Sequence, residues 1–415
     1  MTGPLWNILP DGWMAGQVKN AATVTLGKML QSKGSGTDVR APYMRAANVQ
    51  PDGVLALADV NEMWFGEEQL EQLSIRAGDV VVVEGGQGGF GRAAYVDQDL
   101  PGWGFQNSIN RLRPFADFDG RFIAFYLIAL RASGFIRAYS NVVSVPHLTA
   151  EKLARIPIPL PPVERQGTIA DYLNRETARI DTLIEEQQRL IEMLRERRSS
   201  VVERSVALLD WNTPLKAVSV LIQTGPFGSQ LKSDEYRNGG TPIINPSHIV
   251  AGEIVPDPRI AVGSTKAAHL ARHALEEGDL IAARRGELGR CAIVGTPAVG
   301  FLCGTGSALV RFNRDLIEPA FGAIVFSSRR NRDALALSSV GSTMDNLNSE
   351  IIGTLRVPVP TLEEQRGYVA EISGATAKID SLITETERFI QLSKERRSAL
   401  ITAAVTGQID VSGAA

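Results

Sequence analysis

Histidine and cysteine are scarce in this chain, with four of the first and two of the second among 415 residues. That leaves little material for a catalytic or metal-binding constellation. The sequence contains no GxSxG elbow, no HExxH and no GxxxxGK[ST] phosphate loop, so catalysis has no evident carrier. Cys291 and Cys303 are too few for a disulfide framework and fit two semi-buried thiols in a reducing compartment. No run of about 18 or more apolar residues occurs. The N-terminus has no basic stretch followed by an apolar core, so neither a membrane span nor a secretory signal is supported and a cytoplasmic location is expected. An excess of one charge is also missing. Lys and Arg number 43 against 46 Asp and Glu, a net charge of -3. Any surface for nucleic acid must then be a local patch on a near-neutral body.

What the chain does have is a repeat of itself. Residues 156–202, IPIPLPPVERQGTIADYLNRETARIDTLIEEQQRLIEMLRERRSSVV, align without a gap on residues 355–401, an offset of 199. A Pro-x-Pro run, a Glu, a Gln, an Ile-Asp pair, a Leu-Ile pair and a Glu-Arg-Arg-Ser block recur in register. Solenoid units run about 20 to 50 residues, so a period this long means duplicated domains. Four blocks follow: a mixed domain at 1–162, a helix at 163–209, a second mixed domain at 210–361 and a second helix at 362–407. The proline stretches Pro157–Pro162 and Pro358–Pro360 mark the joints, and their prolines are expected to make stiff extended entries rather than strand or helix.

After each joint comes a long proline-free segment rich in Glu, Arg, Leu, Gln and Ile. Ile169, Leu173, Ile180, Leu183, Leu190, Leu194 and Val201 fall at steps of three and four or multiples of seven, with Glu176, Gln187 and Arg197 interrupting them. Ile372, Ile379, Leu382, Phe389 and Leu400 repeat the stripe. So long and narrow a seam predicts a coiled coil. Neither helix is stable alone, so the economical arrangement pairs the two. The first helix runs into the second mixed domain at Trp211 without a spare linker, which favours antiparallel pairing. A rod of about 43 residues at roughly 1.5 Å each is on the order of 65 Å long. The expected fold class is α+β: two mixed α/β domains joined by two long helices forming an antiparallel coiled coil.

Within the mixed domains, GDVVVVEGG from Gly78 and GDLIAARRG from Gly278 are equivalent strand-turn units, followed by the strands RAAYV from Arg92 and RCAIV from Arg290. Gly86-x-Gly88-x-x-Gly91 matches a dinucleotide fingerprint literally. The fingerprint needs a helix next, whereas a strand pattern follows, so a glycine-rich hairpin turn is the better reading. Asn245-Pro246-Ser247-His248 resembles the Asn-Pro-Pro-aromatic motif of amino-methyltransferases but lacks its second proline and its aromatic, which leaves a turn. His269 and His273 stand at i and i+4 without a third metal ligand in sight. Basic residues are more suggestive. Arg284, Arg285 and Arg290 flank a glycine loop, and Arg92 occupies the same turn in the first copy. Arginine beside glycine can approach phosphates closely or fork onto guanine edges, and it can equally be a solvated charged turn. Lys232 in GPFGSQLK, and Arg45 with Asn48, are weaker candidates.

The block from Pro159 to Leu173, the RIDTLI run from Arg179 to Ile184 and LRERRS from Leu194 to Ser199, with their second copy from Val359 to Ser398, resemble the helical region of specificity subunits of type I restriction-modification enzymes. GPFGSQLK and GDLIAARRGELGR are similar to that family's target-recognition domains. The resemblance covers essentially the whole chain. It implies a non-catalytic, DNA-binding subunit of a restriction system in which each recognition domain reads one half of a bipartite site, while the helices set the spacer and dock methyltransferase subunits. Double-stranded DNA and two methyltransferase subunits are the implied partners, with two motor-nuclease subunits able to join. S-adenosylmethionine, ATP and magnesium are expected in those partners, and no cofactor or metal in this chain. The first domain lacks the GPFG loop, so the two halves should read different sequences. Ser393 and Thr386 stand where aliphatic residues would strengthen the seam. A structural scaffold whose repeated heads bind proteins remains the alternative from another class, and a self-contained modification enzyme a third.

Overall fold

The computed structural model describes residues 2–86, 89–140, 147–339, 347–411 and 413. The chain divides into two compact units, residues 1–188 with 388–415, and residues 189–387. The first unit therefore takes in both ends of the chain. Gly407, at φ +70°, packs against Pro10 and Trp13, a place where a Cβ would lie 2.3 Å from Pro10 Cγ.

The first unit is built on a four-stranded antiparallel sheet in the order Ala22–Leu26, Ile109–Pro114, Val80–Val83, Ala93–Tyr95. Its central strand is four consecutive buried valines. Side chains alternate across a strand. Val80 and Val82 accordingly join one core with the helix Gly120–Ala132, while Val81 and Val83 join a second core with Met44, Met63, Phe65 and Phe105. That is why the run is apolar at every position and not at every other one. A three-stranded sheet covers the second face, with Val39–Met44 between an antiparallel neighbour, Asn61–Phe65, and a parallel one, Gly104–Phe105.

The second unit repeats the plan. Its four-stranded sheet runs Ser219–Thr224, Ser307–Phe312, Leu280–Ala283, Cys291–Ile293, and its three-stranded sheet runs Ala261–Val262, Thr241–Ile244, Leu302–Cys303. Leu280 and Ala282 enter one core and Ile281 another, matching the valines of the first unit. The same fork braces both frames. In the first, Arg113 Nε and Nη2 donate to buried Asp79 at 2.8 and 2.7 Å; in the second, Arg311 Nε and Nη2 donate to buried Asp279 at 2.9 and 2.9 Å.

The proline joints differ from expectation. Pro157–Leu160 is a strand, paired antiparallel with Met14–Gln17. A two-stranded ribbon has only edges, so a proline's missing N–H need not interrupt a ladder. In the second unit Arg356–Val357 pairs with Thr213–Pro214, and the strand stops before Pro358.

The long helices are Val163–Val206 and Leu362–Val405, 44 residues each. A buried glutamine locks the first turn of each. Gln166 Oε1 accepts from Asp119 N at 3.0 Å and Nε2 donates to Pro161 O at 2.8 Å. Gln365 Oε1 accepts from Glu318 N at 2.8 Å and Nε2 donates to Leu316 O and Pro360 O, both at 2.8 Å. Asp119 and Glu318 are the N-caps of domain helices, so each glutamine ties a long helix to the start of a shorter one.

In the first unit Ile169 and Leu173 of the first long helix share a core with Ile401, Ala404 and Val405 of the second. Arg165 pairs with Asp410 at 3.3 Å and Asp181 with Arg397 at 2.9 Å, a descending register that makes the segments antiparallel. In the second unit Val206 and Ile372 share a core, and Arg195 to Glu387 at 3.0 Å with Arg198 to Asp380 at 2.7 Å give the same direction. Ile169, Leu173, Ile372 and Ile379 are buried, and Ile180, Leu190, Leu194, Val201 and Leu400 are half-buried. Leu183, Leu382 and Phe389 differ from the expected stripe, at 36%, 40% and 42% exposure. The inward positions are their following neighbours, with Ile184 and Ile390 buried and Ile383 half-buried. Thr386 and Ser393 are buried on this stripe, and the Thr386 hydroxyl is satisfied by donating to Leu382 O at 2.6 Å. Among the described residues, no helix is long and apolar enough to cross a membrane.

Candidate nucleic-acid interface

The glycine-bearing turns after Val80–Val83 and Leu280–Ala283 lead into antiparallel strands, Ala93–Tyr95 and Cys291–Ile293, and not into helices. Among the described residues neither turn leads into a helix N-terminus of the kind that cradles a pyrophosphate; Gly88 of the literal fingerprint lies outside the described residues. His273 is buried, with Nε2 accepting from Arg272 Nε at 3.0 Å and Nδ1 lying 2.7 Å from the side-chain amide of Gln223. His269 ends a separate short helix, Ser264–His269, and is exposed. Among the described residues, no group of three His, Cys, Asp or Glu is arranged to hold a metal ion.

Several of the candidate contact residues turn out to build the frame. Asn48 is 2% exposed; its Oδ1 accepts from Arg45 N at 2.9 Å and its Nδ2 donates to Ala56 O and Asp59 O at 2.8 and 3.2 Å. Both amide donors are thereby used, and one acceptor lone pair remains on a side chain that is almost wholly buried. Its counterpart is His248, whose Nδ1 lies 3.2 Å from Asn245 N and 2.9 Å from Ile243 O, so Asn245 to His248 form a capped turn. Arg92 Nη1 donates to Val49 O at 3.3 Å and Arg290 Nη1 to Pro246 O at 3.2 Å, each bracing the turn of its own unit. Arg290 also pairs with Glu287, and Arg45 with Asp59. Arg45, Asn48, Arg92 and Arg290 are thus committed inside the protein to differing degrees, Asn48 most of all.

Arg284, Arg285 and Lys232 are placed differently. Arg285 and Lys232 are exposed. Arg284 is half-buried, and its Nε, like those of Arg45 and Arg92, has no hydrogen-bond partner among the described residues. Burial and then the neighbouring Arg285 lower its pKa from the ordinary guanidinium value. Nearby, Gly225 packs so tightly that a Cβ would lie 1.9 Å from Gly304 O, and Phe227 of the same loop is 62% exposed. The first unit has the same close approach at Gly27, where a Cβ would lie 2.2 Å from Gln106 O, without the proline and phenylalanine that follow Gly225.

Sequence reasoning passed over Glu84, which occupies the first unit's equivalent of Arg284. Glu84 N donates to Ser108 O at 2.8 Å and Arg284 N to Gly306 O at 3.0 Å; Leu148 N donates to Glu84 O at 2.7 Å and Leu347 N to Arg284 O at 3.0 Å. The 200-residue offset between GDVVVVEGG and GDLIAARRG carried the signal, because aligning the two segments sets Glu84 against Arg284.

A family model described as the type I restriction modification DNA specificity domain matches residues 10–193 and 225–387. The chain is 24% identical over 432 aligned residues to the type I restriction enzyme EcoKI specificity subunit of Escherichia coli K12, covering 97% of this chain and 90% of that protein. It is 21% identical over 312 residues to the MjaVIII specificity subunit of Methanocaldococcus jannaschii, covering 69% and 70%. A solved chain from work on complex assembly and conformational transition of the type I R-M system superposes with a TM-score of 0.63 at 17% identity, covering 97% of this chain and 100% of that one.

Proposed function

The chain belongs to the family of type I restriction modification DNA specificity domains, and from that premise we propose that it is the non-catalytic, cytoplasmic subunit that reads a bipartite DNA site, one half-site per compact unit. The two long helices form an antiparallel coiled-coil rod that fixes the unread spacer and docks two methyltransferase subunits, which two motor-nuclease subunits can join. S-adenosylmethionine, ATP and magnesium belong to those partners, and the chain itself contributes recognition.

The observation that carries this reading is a doubled frame with unlike readers. The Asp79 and Arg113 fork recurs as Asp279 and Arg311, and the Gln166 lock as Gln365. The residues at the glycine turns differ, Glu84 and Gly85 against Arg284 and Arg285. Constant scaffolding with changed tips is what two different half-sites demand, since phosphate contacts position a protein and base contacts specify. The rod reading is supported by the Asp181 and Arg397 pair in one unit and the Arg198 and Asp380 pair in the other.

Electrophoretic mobility shift with the methyltransferase partner present tests it. Sequence-dependent retardation of duplex DNA is expected, with no methyl transfer by the chain alone in S-adenosylmethionine. A chain that captures proteins but leaves every duplex unshifted, with or without the methyltransferase, is a scaffold instead.

A further inference from the structure

We propose that Glu84 is the base-reading residue of the first unit and selects an amino-bearing base edge, cytosine N4 or adenine N6, at the place where the second unit selects guanine through Arg284. The inference rests on the DNA-reading function above and adds to it the chemical class of one contacted base in each half-site.

The backbones of Glu84 and Arg284 are held by the same two hydrogen bonds in their respective units, so the side chains leave equivalent points of equivalent turns. Their chemistry is opposite. An ionised carboxylate only accepts hydrogen bonds, and a guanidinium only donates them. In the major groove guanine presents the acceptors N7 and O6, whereas cytosine and adenine present amino donors. A carboxylate is therefore repelled by the edge that an arginine forks, and the exchange of one for the other reverses the preferred base.

His147 holds the carboxylate. Its Nδ1 lies 2.9 Å from Glu84 Oε2, with the Glu84 side chain 14% exposed and His147 53% exposed. The imidazole reaches this place because residue 85 is glycine: a Cβ there would lie 2.7 Å from His147 Nδ1. The second unit has Arg285 at that position, so the substitution of Arg-Arg by Glu-Gly trades two cations for a carboxylate and room for the ring that orients it. One oxygen engaged by His147 leaves acceptor capacity on a group with about four lone-pair sites. His147 is a positioning residue in this arrangement.

The test is the methylated motif written by the chain together with its methyltransferase, read genome-wide for wild type, Glu84→Gln, Glu84→Asp and His147→Gln, with thermal unfolding of each. Glu84→Gln can also donate, so it should relax the preference at one base pair of one half-site by about tenfold or more. Glu84→Asp keeps the charge but withdraws it, and should relax the same base pair even if the glutamine variant folds poorly. His147→Gln should give a smaller loss at that position and nowhere else. An unchanged motif in the folded Glu84 variants, or weakening spread evenly over all sequences, overturns the assignment. A wild-type chain that yields no bipartite motif at all would instead refute the underlying function.

Discussion

Arg397 of the second long helix meets Asp181 of the first at 2.9 Å, and the same two positions exchanged between the repeats, Arg198 and Asp380, meet at 2.7 Å. The two pairs share chemistry and differ in setting. The Arg397 side chain is 10% exposed and also approaches Asp52 at 3.5 Å, while Arg198 and Asp380 are 45% and 46% exposed. Asp52 sits in a turn at φ 63°, and the corresponding left-handed residue of the second unit is Ala251, at φ 51°, which has no carboxylate to offer.

These settings predict unequal costs. Asp181→Ala leaves a mostly buried guanidinium with one exposed partner and should destabilise the first unit by about 1–2 kcal/mol, whereas Asp380→Ala removes an exposed pair and should cost under about 1 kcal/mol. Arg397→Met removes the charge together with its need for a partner, and should fall closer to neutral than Asp181→Ala. Urea unfolding of the three variants checks the order; equal losses for Asp181→Ala and Asp380→Ala would contradict it.

The buried forks should matter more. Asp79 accepts from Arg113 Nε and Nη2 and from Arg76 N at 2.9 Å, three donors for one carboxylate of 2% side-chain exposure. Asp79→Asn presents an amide donor to those donors and strands the arginine, at a cost of about 3 kcal/mol or more. Asp279→Asn should do the same to the second unit. A shift in urea midpoint no larger than that of a surface substitution would show that the fork is dispensable.

Replacing Arg284 and Arg285 together with Ala should weaken binding to one half-site and leave the other half-site's preference intact. Each lost guanine fork costs about 1–3 kcal/mol. Competition binding against duplexes altered in one half-site at a time measures this, and unchanged affinity with an unchanged methylated motif would remove both residues from the interface.

Burial pushes the thiols of Cys291 and Cys303 up to about 12 from an ordinary value of 9.0. Both should resist a thiol reagent at pH 8 in the native protein and react once it is unfolded, because the thiolate is the nucleophile. An acid whose pKa is raised by folding stabilises the native state below its unfolded value. That contribution should therefore fade as the pH climbs from about 9 towards 12. Rapid labelling of native protein at pH 8 would contradict their burial.

Much of the architecture is legible in the sequence because the repeat can be checked against itself. The segments GDVVVVEGG and GDLIAARRG form equivalent central strands, Val80–Val83 and Leu280–Ala283, and the two proline joints are each followed by a 44-residue helix. The inward stripe was harder to read for a definite reason. Leu183-Ile184, Leu190-Ile191, Leu382-Ile383, Phe389-Ile390 and Leu400-Ile401 are apolar doublets, and heptad spacing accepts either member. In each doublet the second residue is the more buried, a choice made by the crossing of two helices and absent from either helix alone. Asn48 and Arg92 look like contact residues in sequence because an amide or a guanidinium serves a turn as well as it serves DNA. The carbonyls of Ala56 and Asp59 show the use made of Asn48, and that of Val49 takes one donor of Arg92.

The claim that the helices are a ruler between two readers is tested most directly by the methylated motif of a chain with a longer rod. Four residues inserted after Gln188 and four after Thr386 lengthen the helices by about 6 Å. Base pairs stack about 3.4 Å apart, so the unread spacer should grow by roughly two base pairs while both half-sites keep their sequences. Some loss of affinity is expected, because a four-residue stutter turns one end of the coil and longer DNA turns its second half-site, and the two rotations need not match. A spacer of unaltered length in the inserted variant would contradict the ruler, and an altered half-site would contradict the separation of rod from readers.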